Sequence, residues 1–126
     1  DAQRANLNAL MLHHAASVDD LALAVQETGA PRDRVKNRKV LFTDIVVRLA
    51  PRWRCAAYGI WGRQDLLYRN QFDRLTDRVN ALNLRESVFL EAAGHWLQYE
   101  RHEEFNRLLA RWLDAPPAAH HGGRQP

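Results

Sequence analysis

The chain is poor in the residues that most often carry chemistry: one cysteine, one methionine and two serines in 126 residues. A lone Cys55 excludes an internal disulfide and a multi-cysteine zinc site. It is the pattern expected in a reducing compartment, and a cytoplasmic location is the expectation. No apolar run approaches the ~20 residues a membrane helix needs, so no membrane partner is expected. The first residue is Asp1, and nothing near it resembles a signal peptide. Met11 lies inside a helix-like stretch, so the chain reads as part of something longer. No internal repeat is visible.

What is present is ordinary for one globular domain, with 46% hydrophobic and 26% charged residues. The net charge of +3 and a pI near 9.5 raise the question of nucleic acid. Of the 18 basic residues 16 are arginine, and most alternate with carboxylates, as in Arg74, Asp77 and Arg78, or Arg101, Glu103, Glu104 and Arg107. That mixture describes solvated helix faces laced with ion pairs. One cluster, Arg32, Arg34, Lys36, Arg38 and Lys39, stands apart and reads as a surface loop. No nucleic-acid partner is expected.

Apolar spacing at Leu7, Leu10, Met11 and His14 predicts a helix over 3–16. Ser17, three before Asp20, looks like the cap of a second helix that runs through Leu21, Ala22 and Val25 to Gly29, with Pro31 beyond. Residues 30–42 read as a loop. Thr43 is a candidate cap for a short helix with Ile45, Val46 and Leu49, which Pro51 ends. The pattern then changes. Residues 55–61 are almost continuously apolar, as a buried parallel strand is, and Gly62 ends the run. Residues 69–83 return to helical spacing with Phe72, Leu75, Val79 and Leu82 on one side. Val88, Phe89 and Leu90 form a second strand. A last helix over about 102–113 places Phe105, Leu108, Leu109, Trp112 and Leu113 on one face. The tail, 115–126, lacks apolar content and is expected to be disordered.

Strand, helix, strand, helix from residue 54 onward means two parallel strands joined by a crossover. Residues just past their C-terminal ends meet at one rim of the sheet, where open α/β sheets bind ligands. Asp65 and His95 fall there. A carboxylate in that position accepts a hydrogen bond from one imidazole nitrogen and fixes the tautomer, leaving the other nitrogen to take a proton. Asp65 alone would be a turn residue, and His95 alone an ordinary loop histidine.

Gly59-Ile60-Trp61-Gly62-Arg63-Gln64-Asp65 resembles the acid loop of the α/β-hydrolase-fold superfamily. Ala93-Gly94-His95-Trp96-Leu97-Gln98-Tyr99-Glu100-Arg101 resembles its histidine loop, and Glu103-Glu104-Phe105-Asn106 through Trp112-Leu113 its closing helix. The likeness spans about 52–114. Residues 1–50 more loosely resemble the helical cap, or lid, of many members. The resemblance implies an α/β fold: a partial hydrolase sheet of two parallel strands with flanking helices over 51–114, plus helical cap elements over 1–50. It implies a hydrolase, cleaving an ester or a carbon–carbon bond of a small-molecule substrate, with Asp65 as triad acid and His95 as base. No cofactor is implied. An aspartate nucleophile would instead make a dehalogenase or epoxide hydrolase, and loss of the nucleophile a ligand-binding protein.

The chain departs from the family in having no Gly-x-Ser-x-Gly. Ser17 looks like a helix cap. Ser87 starts the second strand at the end away from His95, and a strand of that kind spans roughly 17–20 Å. The nucleophile must then come from a partner segment, the N-terminal half of the same protein, and this chain alone is expected to be inactive. Trp61 and Trp96 are candidate pocket residues, more readily packing residues near the site mouth. His14, in the cap, is a candidate substrate contact. His13 and His14 point to different sides of a helix and make a poor chelating pair.

Overall fold

The chain folds as mixed helices around a two-stranded parallel sheet, here in a computed structural model that describes residues 2–34, 39 and 43–115. The charged loop over 30–42 falls only partly within these residues. Of the expected tail, 116–126 lie outside them. The helices are α1 (Ala2–Asn6), α2 (Asp20–Gly29), α3 (Ile45–Leu49), α4 (Phe72–Ala81), α5 (Leu97–Glu100) and α6 (His102–Leu113), and the strands are β1 (Tyr58–Gly62) and β2 (Glu86–Leu90).

β1 and β2 pair in register from Tyr58↔Glu86 to Gly62↔Leu90, and α4 lies in the crossover between them. The pleat sends alternate side chains to opposite faces. One face carries Ile60, Val88 and Leu90 into a core with Ala93, Leu97, Phe105 and Leu108, which seats α6. On the same face Tyr58 stacks on Trp112 at 4.8 Å. Glu86 accepts from Trp112 Nε1 at 2.7 Å and from Arg111, fastening the end of α6 to the start of β2. The other face carries Phe89 between Trp61 at 5.6 Å and Phe72 of α4 at 5.2 Å. On α4, Leu75 and Val79 are buried while Arg74, Asp77 and Arg78 are exposed, the one-sided pattern read in the sequence.

A second core forms from Leu7, Leu12, Val18 and Ala22, with Trp96 and Tyr99 packed against it. The amino-terminal segment therefore docks on the stretch that follows His95. Tyr99 strengthens this by donating its hydroxyl to Asp19 Oδ1 at 2.6 Å. That bond pushes the phenol up to about 12 and lowers the Asp19 carboxyl.

Four boundaries differ from expectation. The helix expected over 3–16 stops early: α1 passes into a π turn at Leu7–Met11, and Leu12 is extended. The amides of His13 and His14 are bonded to a distant carboxylate, so the segment leaves helical form to reach it. Asp19, not Ser17, caps α2, accepting from the Ala22 amide at 2.8 Å. The first strand begins at Tyr58 rather than Cys55, because its partner begins at Glu86 and leaves Cys55 and Ala56 unpaired and exposed. The helix expected from residue 69 begins at Phe72, after a 3₁₀ turn at Leu66–Tyr68 and a left-handed Asn70 (φ 61°).

Candidate functional site

β1 and β2 end side by side, and each hands its chain to a short loop. The two loops are stitched together. The Arg63 amide donates to Leu90 O at 2.9 Å and the Gln64 amide to Ala93 O at 2.9 Å, while the Gln64 side-chain oxygen accepts from the Ala93 amide at 3.2 Å. Gly62 makes this approach feasible. A Cβ there would lie 2.3 Å from Gly94 O and 2.4 Å from Ala93 O, backbone atoms with no room to yield.

The stitching brings the two sequence-predicted groups together. His95 Nδ1 and Asp65 Oδ2 are 2.8 Å apart. The other carboxylate oxygen, Oδ1, accepts from the Leu67 amide at 2.9 Å, so Asp65 also caps the 3₁₀ turn that follows it. The Asp65 side chain is 6% exposed and the His95 side chain 40%. A buried carboxylate thus holds one edge of an imidazole whose body is open to solvent. The hydrogen bond to Asp65 raises the His95 pKa above its ordinary value, against the opposing effect of partial burial. With Nδ1–H donated to Asp65, Nε2 is left as an acceptor, the form a general base requires.

Beside Asp65 lies an open cavity of about 350 Å³, lined among others by His13, Arg63, Leu66, Tyr68, Arg69 and Phe72. Arg63 is engaged by Glu91 at 2.7 Å and lies over the Phe72 and Phe89 rings. The candidate pocket residues are placed elsewhere. Trp61 packs on Phe89, and Trp96 packs on the amino-terminal core at 6.5 Å from Tyr99. The His14 ring is bonded through Nε2 to Ala92 O at 3.1 Å. None of these three lines the cavity beside Asp65, whereas His13 does. Ser87 sits near the start of β2, at the opposite end from His95. Among the described residues, no group of His, Cys, Asp and Glu is arranged to hold a metal ion, and no helix is long and apolar enough to cross a membrane.

Glu100 is a site residue that the sequence did not single out. Its Oε2 accepts from the Gly94 amide at 2.6 Å, and its Oε1 accepts from the His13 and His14 amides at 2.7 and 2.8 Å. One carboxylate joins the loop before His95 to the segment after Leu12. Its partners are all backbone amides, which carry no side-chain signature. In the sequence Glu100 is simply an acid within the histidine loop.

No family model, curated protein or solved structure matches the chain.

Proposed function

We propose that the chain supplies the acid and the base of a hydrolase triad in an α/β-hydrolase-type sheet, with the nucleophile contributed by a segment outside these 126 residues. The observation that carries this is the 2.8 Å contact between a buried Asp65 carboxylate and a solvent-facing His95 at the C-terminal rim of two parallel strands. In the reaction, a hydroxyl nucleophile loses its proton to His95 Nε2 as it attacks a carbonyl. Asp65 holds the ring in the needed tautomer and stabilises the imidazolium. The same imidazolium then protonates the leaving group, and neutral His95 activates water to release the acyl product. The substrate is a small ester or a compound with a cleavable carbon–carbon bond next to a carbonyl, and the enzyme works in the cytoplasm. The donors that stabilise the oxyanion come from the partner segment.

The test is to express the chain together with the coding sequence that precedes Asp1 and to assay nitrophenyl-ester hydrolysis. Hydrolysis is expected to fall by about 10⁴-fold or more in both His95→Ala and Asp65→Asn. Turnover that survives His95→Ala, or a preceding segment with no strand–nucleophile–helix turn, would overturn the proposal.

A further inference from the structure

The residues on either side of His95 are both held, one by Glu100 and the other by the amino-terminal segment. On one side, the Gly94 amide donates to Glu100 Oε2. On the other, the Trp96 amide donates to Met11 O at 2.9 Å. Glu100 closes the ring, because its second oxygen takes the His13 and His14 amides. The fit is tight. A Cβ on Gly94 would lie 2.8 Å from His13 N, 2.9 Å from Met11 O and 3.1 Å from Glu100 Oε2. Bonds to an ionised acceptor are the stronger kind, and three of them converge on one carboxylate.

We propose that Glu100 is the positioning residue of the site: it fixes the loop that presents His95 to Asp65 and locks the segment following Leu12 against that loop. The hydrogen bonds of Glu100 go to the amides of Gly94, His13 and His14, so it acts on His95 through the backbone of Gly94. The role rests on reading Asp65 and His95 as an acid–base pair, and the experiment separates the two claims.

Glu100→Gln keeps the size of the side chain but loses the charge and replaces one acceptor oxygen with a donor. The titration of His95 is followed by NMR, and amide exchange of residues 11–14 and 93–96 by mass spectrometry. Asp65→Asn serves as the reference. Glu100→Gln is expected to speed exchange in both segments by about tenfold or more and to lower the His95 pKa toward 6.5, its ordinary value. Exchange in β1 and β2 should stay as in the parent. An unchanged His95 titration with unchanged exchange at 93–96 overturns the role of Glu100. If Asp65→Asn leaves the His95 titration where it was, the acid–base pairing itself fails, whatever Glu100 does. If Glu100→Gln does not fold, Glu100→Asp, which keeps the charge but withdraws it by one methylene, is read in the same way. Loss of strand protection in both variants would make Glu100 a folding residue and overturn the proposal.

Discussion

Asp65 does two jobs with two oxygens, and they can be separated. Oδ2 holds His95, and Oδ1 caps the turn at Leu66–Tyr68. Asparagine can keep the cap while losing the charge, whereas alanine loses both, so Asp65→Ala should be the less stable variant by about 1 kcal/mol, measured by urea melts. The charge effect carries a pH signature. The His95 pKa is raised in the folded chain by its bond to Asp65. A group so shifted adds stability that is whole below its unfolded pKa and lost as pH rises through the folded one. The Tm gap between the parent and Asp65→Asn should therefore be largest below the ordinary imidazole value, ~2–4 °C after allowing for the exposure of the imidazole, and should shrink as pH rises through the raised His95 value. A gap that grows with pH would contradict this. Both members of the pair were readable in the sequence, because each follows an apolar run closed by glycine. Asp19 was not. Ser17 has equal capping chemistry, and only the backbone path, extended at Asp19, decides which side chain faces the first amides of α2.

The elements were readable where burial fixes them and obscure where a neighbour does. β1 and β2 announced themselves as apolar runs, but their ends are set by mutual register, so Cys55, Ala56 and Ala57 drop out of the first while Glu86 joins the second. The amphipathic stripes of α4 and α6 sufficed to find both helices. The first helix misled because its periodicity continues through His14, while the amides of His13 and His14 leave it to donate to Glu100. α5 is a single turn that no pattern could show. The end of β1 meets the histidine loop closely where Gly62 lies against Ala93 and Gly94. Gly62→Ala would drive the acid loop from the histidine loop, since the clash is with backbone. The expected cost is about 1–3 kcal/mol in a denaturant melt, with the His95 pKa falling back toward its ordinary value. A fully stable Gly62→Ala chain with an unaltered His95 titration would show that the two loops can separate without parting the pair.

At the scale of the whole molecule, the buried interior is small and divided. Leu7 and Leu90 are the largest fully buried side chains, and they belong to different clusters. Large apolar side chains remain in solvent, among them Leu113 at 77%, Leu21 at 62% and Val46 at 53% exposure. Among the described residues the sheet has two strands, so each has an outer edge without a partner. A parallel sheet ordinarily lies buried on both faces within a larger array, and two strands give little stability by themselves. The edges are not alike. β2 opens on Glu86 and Ser87, whose polar side chains suit a sheet margin, while β1 is Tyr-Gly-Ile-Trp-Gly, with no charge to discourage further pairing. The unpaired side of β1 is therefore where additional strands would join. The 126-residue chain by itself is expected to melt broadly and to self-associate as its concentration rises. Sedimentation velocity and thermal circular dichroism over a tenfold concentration range provide the measurement. Co-expression with the nucleophile-bearing segment proposed above should give a monomer with a steep melt. A steep, concentration-independent melt from a monomeric chain alone would mean that its two small cores suffice and that β1 needs no neighbour.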